Sequence, residues 1–240
     1  MNKSEIVFLV RAYNESKKIE EVIKSIIGFG YKNILIIDDG STDNTEEIIH
    51  GIKKSNKDTK IILLRHLFNR GGGASLETGF EYIRKYGDLL GFNYIFTFDA
   101  DGQHNINDSK NFISQMEKSK NLDIILGSRF IEKTNTNAPF HRRVILFLGI
   151  IFTYITTGLN FTDSHNGYRL LKLSAIKKIK LTMDGMEYAS ELIEQIKINN
   201  LKYKEIPVNI KYTEYSLNKG QKSSNAINIA LRMIWNKFFK

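Results

Sequence analysis

Short runs of β-branched and other apolar residues alternate with amphipathic segments through the first half of the chain. We predict five buried strands from these runs, at Ile6–Val10, Ile34–Ile37, Ile61–Leu64, Tyr94–Phe98 and Asp123–Leu126. Between the strands, apolar residues recur at helical spacing over Glu15–Ile27, and the glycines at 71–73 lead into a helix that extends to Tyr86. Strands separated by such helices predict an α/β fold in which a mostly parallel sheet carries helices on both faces.

The second half of the chain has a different pattern. No charged residue occurs from Val144 to Thr162, a length sufficient for a membrane-spanning helix. No second apolar segment accompanies it, and part of it is polar, at Thr153, Thr156, Thr157 and Asn160. We therefore expect a helix that is buried against the core or lies on a membrane surface. A late strand at Ile206–Ile210 and a final helix at Asn225–Phe239 complete the predicted elements.

Composition and charge narrow the classes of protein. With 240 residues, of which 42% are hydrophobic and 25% charged, the chain can bury a substantial core. It has no cysteine, which excludes disulfide bonds and thiolate metal sites, and its N-terminal sequence is not that of a secretory signal. The formal net charge is +9, and eight basic against two acidic residues place +6 of it in residues 202–240. This basic end suits a phosphate, an acidic lipid surface or nucleic acid, or is a solvated lysine-rich surface.

An acidic cluster, Asp99-Ala100-Asp101-Gly102-Gln103-His104, directly follows the predicted strand Tyr94–Phe98. Two carboxylates one residue apart at a strand end are suited to Mg²⁺ or Mn²⁺, which prefer oxygen ligands and leave positions for substrate phosphates. The same residues would also form an Asp-Gly turn with solvated carboxylates. Their position at a strand end favours the metal site.

A second acidic cluster, Asp38-Asp39-Gly40-Ser41-Thr42-Asp43, follows the strand Ile34–Ile37. Its carboxylates can accept hydrogen bonds from a ribose or a base. Helix capping explains Ser41 or Asp43 but does not require the Asp38-Asp39 pair. In a mostly parallel sheet, ligands bind beyond the carboxyl ends of the strands, where both clusters are expected to lie.

Seven motifs occur in the order found in family-2 glycosyltransferases of the GT-A fold, and the chain resembles that family over nearly its whole length. The motifs are Tyr13-Asn14-Glu15, Asp38–Asp43, Asn69 with the glycines 71–73, Asp99–His104, Gly127-Ser128-Arg129, Asp163 with Asn166-Gly167-Tyr168-Arg169, and Glu205–Val208. Within the family, the chain is most similar to the branch of dolichyl-phosphate mannose synthase and bacterial polyprenyl-phosphate glycosyltransferases. The resemblance implies one GT-A domain, with residues 1–130 as the nucleotide-sugar-binding half and 131–240 as the acceptor-side and membrane-surface half.

The resemblance also implies roles for individual residues. The nucleotide-sugar site would comprise Ala12, Tyr13, Asn14, Glu15, Asp38, Asp39, Arg70, Asp99 and Ala100. The metal ligands would be Asp99, Asp101 and Gln103. The catalytic centre would include Arg129, Asp163 and Arg169, and the acceptor phosphate would be bound by Arg142 and Arg143. We interpret His104 as a residue of the turn or of the metal surroundings rather than as a ligand.

The chain departs from the family pattern at three places. Arg11 stands where the family often has proline before Ala-Tyr-Asn-Glu. The family's Asn-x-Gly-Lys-Gly reads Asn69-Arg70-Gly71-Gly72-Gly73, so the lysine is missing, and Arg70 could replace its charge. The usual Ser-Gly-Phe-Arg reads Asn166-Gly167-Tyr168-Arg169.

The expected function is that of an inverting, Mg²⁺- or Mn²⁺-dependent hexosyl- or N-acetylhexosaminyltransferase. A UDP- or GDP-linked donor would supply the sugar, and undecaprenyl or dolichyl phosphate would accept it. A phosphate is already an anionic nucleophile, whereas a hydroxyl needs a general base. A lipid phosphate also suits the uncharged segment, the basic residues and the C-terminal aromatic residues Tyr212, Tyr215, Trp235, Phe238 and Phe239. We expect a cytoplasmic protein, peripheral on the inner face of the cell membrane, with a separate membrane protein as a conceivable partner.

Three alternatives remain open from the sequence. The first is a transferase that extends a cell-surface glycan at a sugar hydroxyl, for which Asp163, Asp184 and Glu187 are candidate bases. The second is an inactive nucleotide-sugar-binding protein. The third, a nucleic-acid-binding module, is disfavoured because the acidic clusters would repel phosphates and no nucleic-acid motif occurs.

Overall fold

The computed structural model describes residues 1–131, 140–213 and 215, and within the helix that begins at residue 140 it leaves out the side chains at 140–142, 145, 152 and 156. The strands in this part of the chain are β1 Ile6–Ala12, β2 Asn33–Asp38, β3 Lys60–Arg65, β4 Tyr94–Asp99, β5 Ile124–Ser128, β6 Arg169–Lys172 and β7 Tyr203–Pro207. The α-helices are α1 Ile19–Gly28, α2 Thr45–Ser55, α3 Gly72–Leu90, α4 Ser109–Lys118, α5 Phe140–Thr157, α6 Leu173–Ile176 and α7 Tyr188–Ile198.

The strands form one sheet in the order β3-β2-β1-β4-β6-β5-β7. Every neighbouring pair is parallel except those of β6, which runs antiparallel to β4 and β5. The prediction of a mostly parallel α/β sheet is therefore confirmed. The register brings Arg11 of β1 opposite Asp99 of β4, and Ala12 opposite Asp38 of β2, so that the two acidic clusters flank the end of β1.

Apolar layers cover both faces of the sheet, as the pattern predicts. In β1, Phe8 and Val10 join a core formed with α1, α2 and α4, whereas Val7 and Leu9 join one formed with α3, α6 and α7. Strands buried on both faces need apolar residues at consecutive positions, because successive side chains point to opposite faces. This requirement explains the uninterrupted apolar runs in the sequence.

Two predicted elements differ in position from the observed ones. The late strand is β7 at Tyr203–Pro207, not the predicted Ile206–Ile210. This edge strand pairs only with β5, and most of its residues are half-buried or exposed. An uninterrupted apolar run therefore does not mark it. The uncharged helix begins at Phe140 and ends at Thr157, followed by Gly158 at a φ of 70°. The predicted helix at Asn225–Phe239 lies outside the described residues.

Among its described side chains, helix α5 buries two threonines and exposes a row of large apolar residues. Thr153 and Thr157 are buried, and their hydroxyls donate to the carbonyl oxygens of Gly149 and Thr153 at 2.8 and 2.6 Å. Spacings of three and four residues place the exposed side chains on one face, which we call the α5 apolar face: Val144, Phe147, Leu148, Ile151, Tyr154 and Ile155. Within the described residues, no helix has the length and apolar character needed to cross a membrane.

Candidate active site

The loops after β1 and β2 are joined by hydrogen bonds into one wall at the carboxyl edge of the sheet. The amide of Asn14 donates to the Ser41 hydroxyl at 2.9 Å, and the Asn14 side chain accepts from the amide of Thr42 at 2.8 Å. The amide of Glu15 donates to the Thr45 hydroxyl at 2.8 Å. Tyr13 remains 39% exposed beside this wall. The structure thus brings together the two motifs that the sequence placed around a nucleoside.

Asp38 and Asp39 are both buried, but they serve different neighbours. Asp38 accepts from the amide of Ser41 at 3.0 Å and lies 3.3 Å from the Arg65 guanidinium, so it shapes the turn. Asp39 accepts from the amides of Arg70 and Gly71 at 2.9 and 2.8 Å and pairs with the His66 ring at 2.7 Å. Asp39 therefore fixes the glycine-rich loop against the wall.

Asp99 is held from two sides at the end of β4. The Nε of Arg11 donates to Asp99 Oδ1 at 3.1 Å, and a terminal nitrogen of Arg11 contacts the same oxygen. On the other side, His104 Nδ1 accepts from the Asp99 amide at 3.3 Å, and its Nε2 lies 3.7 Å from Asp99 Oδ2. The His104 ring stacks on Tyr168 with 5.0 Å between centroids. His104 is thus a buried support of the acidic cluster.

The electrostatic environment separates the two carboxylates of this cluster. Burial raises the pKa of Asp99, but the Arg11 guanidinium holds it below its usual range. Burial, followed by the charges of Asp99 and Glu15, raises the pKa of Asp101 to about 7. Burial also lowers the pKa of His104 to about 4, so this ring is neutral at physiological pH. Asp101 is consequently the carboxyl group of the pair whose negative charge its surroundings disfavour, and without a bound cation it is partly protonated near neutral pH.

The donor set at this edge fits a hard divalent cation in combination with substrate oxygens. Among the described residues, no group of three or more acidic or histidine side chains is arranged to hold a metal ion. Asp101 supplies a half-buried carboxylate, and its Oδ1 accepts from the amide of Gln103 at 3.0 Å. Mg²⁺ and Mn²⁺ bind through one or two carboxylates plus phosphate oxygens, so a phosphate-bearing ligand would complete the shell of a cation that these carboxylates alone bind weakly.

The Asn166-Gly167-Tyr168-Arg169 motif packs directly against the acidic cluster. A Cβ atom at Gly167 would lie 2.3 Å from Asp99 Oδ2 and 3.3 Å from Arg11, so no side chain fits there. Arg169 is 2% exposed, and neither of its terminal nitrogens has a hydrogen-bond partner among the described residues. Its guanidinium lies 5.7 Å from the centre of the Tyr188 ring. A buried cation without a hydrogen-bonded anion is typical of a site that a ligand completes.

Arg129 and Asp163 form a buried ion pair beside β5. Asp163 accepts from the Nε and a terminal nitrogen of Arg129, both at 2.6 Å, and from the Arg129 amide at 3.0 Å. The other terminal nitrogen of Arg129 donates to the Tyr212 hydroxyl at 2.6 Å. Burial raises the pKa of Asp163, but Arg129 holds it below its usual value. A carboxyl group with a lowered pKa and occupied oxygens is a poor proton acceptor.

The segment after β7 contributes two contacts that the sequence did not predict. Tyr212 is buried against Arg129, and the Tyr215 hydroxyl donates to Glu15 at 2.8 Å. These tyrosines, which the sequence assigned to a membrane-facing tail, face the site instead, and Trp235, Phe238 and Phe239 lie outside the described residues. No pattern in the sequence indicates these pairs, nor the contacts of His66 and Arg11, because the partners are distant along the chain.

The remaining predicted residues lie at the margin of this cluster. Arg70 is about half exposed and reaches Asp184 at 3.4 Å. Ala12 and Ala100 take part through their backbones, since the carbonyl of Ala12 accepts from Asp39 at 2.8 Å and the amide of Ala100 donates to Arg11 at 3.1 Å. Arg143 is exposed in the first turn of α5, and the side chain of Arg142 lies outside the described residues.

The sequence matches known proteins over most of its length. The family described as Glycosyl transferase family 2 matches residues 8–180. An uncharacterised protein of Methanocaldococcus jannaschii is 37% identical over 242 residues, which cover 100% of this chain and 95% of that protein. The UDP-N-acetylglucosamine–dolichyl-phosphate N-acetylglucosaminyltransferase of Methanococcus voltae is 32% identical over 249 residues, covering 98% of this chain and 97% of that enzyme.

Solved structures agree on the fold. Glucosyl-3-phosphoglycerate synthase from Mycobacterium tuberculosis, solved with Mn²⁺, UDP-glucose and phosphoglyceric acid, superimposes with a TM-score of 0.60 at 14% identity. The match covers 95% of this chain and 79% of that chain. At this identity the likeness shows the fold alone, which is that of the GT-A glycosyltransferases.

Proposed function

The chain belongs to glycosyl transferase family 2, and from this membership we propose that it is an inverting enzyme that moves a sugar from a nucleotide-sugar donor to a polyprenyl phosphate. The observation that carries the lipid acceptor is the α5 apolar face, which presents large apolar side chains to the outside. An amphipathic helix of this kind lies in the interface of a bilayer with its apolar side inserted. The M. voltae relative is named for a dolichyl-phosphate acceptor, which supports the same choice.

The donor side of the proposal rests on the wall formed by the loops after β1 and β2. We propose that residues 1–130 bind the nucleotide sugar and residues 131–240 face the acceptor. The nucleoside contacts would come from Tyr13, Asn14, Glu15, Asp38 and Asp39, the backbones of Ala12 and Ala100, and the loop at Arg70. UDP is the first nucleotide to test, because it occurs in the names of both the M. voltae relative and the complexed solved structure.

The chemistry of the acidic cluster supports the proposed metal dependence. Asp101, with Gln103 and the adjacent Asp99, would hold Mg²⁺ or Mn²⁺ together with diphosphate oxygens. When bound, such a cation stabilises the charge that develops on the departing diphosphate. Asp99, fixed by Arg11 and His104, keeps the cluster in position, and Arg169 offers a buried positive charge beside it.

The acceptor chemistry explains why no free base is needed at the centre. A phosphate oxygen attacks the anomeric carbon from the face opposite the diphosphate. The bond from that carbon to the diphosphate oxygen breaks, the nucleoside diphosphate leaves, the configuration is inverted, and no proton has to be removed. Asp163 is locked by Arg129, Asp184 pairs with Arg70 and Glu187 is buried. We propose that Arg142 and Arg143, at the start of α5, bind the lipid phosphate at the cytoplasmic face of the membrane. The comparisons do not support a separate membrane protein as a partner.

The test of this function is a screen of UDP- and GDP-sugars with Mn²⁺, with and without polyprenyl phosphate, followed by mass analysis of the products. We expect one nucleotide sugar to give a glycosyl phospholipid, with no transfer to soluble sugars. Transfer to a soluble glycan and none to the lipid would replace the lipid acceptor with a sugar hydroxyl. Donor binding without transfer or hydrolysis would instead identify an inactive sugar-nucleotide-binding protein.

Asp39→Ala is expected to weaken binding of the free nucleoside diphosphate, because Asp39 holds the amides of Arg70 and Gly71 against the nucleoside wall. The loss of a buried hydrogen-bonded carboxylate costs about 1–3 kcal/mol, or roughly five- to 150-fold in affinity. Titration calorimetry with UDP and GDP measures the change. Asp123→Ala is the matched control, since Asp123 also accepts from a backbone amide, that of Lys202 at 2.9 Å, at the other end of the sheet. Equal affinities in the two variants would contradict the assignment.

A further inference from the structure

Two of the departures from the family pattern meet in space. Arg11 replaces a residue that is often proline, and Gly72 stands where the family's glycine-rich loop has lysine. They are 61 residues apart in the chain, yet Arg11 Nη1 donates to the Gly72 carbonyl oxygen at 3.1 Å. The additional arginine at position 11 and the missing lysine at position 72 therefore affect the same small region of the structure.

The Arg11 side chain fills this volume from the end of β1. Its side chain is only 12% exposed, and it bridges Asp99 of β4 and the first turn of α3. Its guanidinium also lies 4.9 Å from the centre of the Tyr188 ring of α7, in the arrangement of a cation–π contact. Arg11 thus makes ionic, hydrogen-bonded and aromatic contacts with three different elements.

The space at Gly72 is tight while Arg11 is present, and a side chain there would require the Arg11 side chain to move by a few tenths of an ångström. A Cβ atom at Gly72 would lie 3.3 Å from Arg11 Nη1 and 3.6 Å from the Tyr188 ring. A lysine at 72 would extend from this point into the region that the guanidinium occupies. Arg70 does not substitute for that lysine, because its side chain reaches Asp184 on the outside of the loop.

We propose that Arg11 replaces the loop lysine of the family as the cation beside the acidic cluster, and that it acts as a positioning residue that occupies Oδ1 of Asp99 and leaves Asp101 as the main carboxylate facing the metal. The exchange is reciprocal, since arginine at 11 crowds any side chain at 72. This inference rests on the proposed function only where sugar transfer is measured. Its binding measurement uses Mn²⁺ alone and stands without any donor or acceptor.

The test compares Arg11→Met, Gly72→Lys and the double variant. Arg11→Met removes a positive charge and releases Asp99, so the affinity for Mn²⁺ without nucleotide should rise about tenfold, while sugar transfer should fall about tenfold or more because Asp99 is no longer held. Gly72→Lys alone should lower transfer by crowding Arg11. The double variant should return both Mn²⁺ affinity and transfer to within about threefold of the wild type. Electron paramagnetic resonance of free Mn²⁺ measures the affinity.

Arg84→Met is the matched control, because Arg84 forms a partly buried ion pair with Glu77 on α3 and contacts none of these groups. It should lower the melting temperature without changing Mn²⁺ affinity. Adding Asp99→Asn to Arg11→Met should remove the gain in Mn²⁺ affinity. Weaker Mn²⁺ binding by Arg11→Met than by the wild type would overturn the proposal. A double variant whose loss in transfer rate equals the product of the losses in the two single variants would also overturn it. If the variants show the expected Mn²⁺ affinities but no sugar is transferred to the lipid phosphate, the result counts against the proposed function alone.

Discussion

Asp101→Asn is expected to lower sugar transfer by at least 10²- to 10³-fold, because the proposed metal site would lose one oxygen ligand and one negative charge beside the diphosphate. Removal of several kcal/mol of charge stabilisation in the transition state corresponds to a rate loss of about this size. EDTA should abolish transfer by the wild type, and Mg²⁺ or Mn²⁺ should restore it. Steady-state kinetics with and without chelator measure both effects.

The same substitution should stabilise the metal-free protein, which separates loss of chemistry from loss of fold. The pKa of Asp101 is raised from 3.8 to about 7, so the folded state retains a proton that the unfolded state releases between these values. Stability contributed by the protonated carboxyl is therefore lost as pH rises from about 4 to about 7. In EDTA, the advantage of Asp101→Asn over wild type should be larger at pH 8 than at pH 5 by about 2 kcal/mol, or roughly 4–8 °C in melting temperature.

Asp58→Asn is the matched isosteric control, because Asp58 is exposed in the loop before β3. It should change neither the rate nor the pH dependence of melting. Full activity of the wild type in chelator, or a wild-type rate in Asp101→Asn, would remove the metal from the mechanism. A difference in melting temperature between Asp101→Asn and the wild type that does not change with pH would show that burial does not raise the pKa of Asp101.

Parallel topology explains how far the site was predictable from the sequence. Strands buried on both faces need uninterrupted apolar runs, so β1, β2, β4 and β5 are visible as such, and the edge strand β3 also carries an apolar run. The polar residues that follow β2 and β4 must meet at one edge. The antiparallel strand β6 has four residues and includes the buried Arg169, so no apolar run indicates it. The family motif located Arg169 where periodicity could not.

Contacts between distant residues account for most of what the sequence could not show. The hydrogen-bonded pairs Arg11–Asp99, Arg129–Tyr212 and Asp39–His66 are separated by 88, 83 and 27 residues. Each depends on the register of the sheet or on the path of a loop, which local patterns do not encode. The same limit applies to α5, because a helical period reveals two faces but not which of them meets the core. Buried threonines that bond to their own helix allow the polar face of α5 to pack inward.

The orientation of α5 leads to the second large effect, on membrane binding. Phe147 and Ile155 on the α5 apolar face are 60% and 74% exposed, so replacing both with serine should leave the fold intact. Each side chain inserted into a bilayer contributes about 1.5–2 kcal/mol, so the double variant should bind vesicles of phosphatidylcholine and phosphatidylglycerol roughly 100- to 1000-fold more weakly. Cosedimentation with vesicles measures the change, and transfer to polyprenyl phosphate in the same vesicles should fall with it.

A short-chain, water-soluble polyprenyl phosphate separates docking from chemistry. Because the proposed donor site and the acidic cluster lie on the strand-end loops, the Phe147→Ser/Ile155→Ser variant should glycosylate this soluble acceptor at the wild-type rate. Leu89→Ser is the matched control for Ile155→Ser, since Leu89 is 82% exposed at the end of α3, on the opposite edge of the sheet from the site, and should not affect vesicle binding. Equal vesicle binding by Ile155→Ser and Leu89→Ser would mean that α5 does not meet the lipid. Loss of transfer to the soluble acceptor would place these residues in the acceptor site instead of on the membrane.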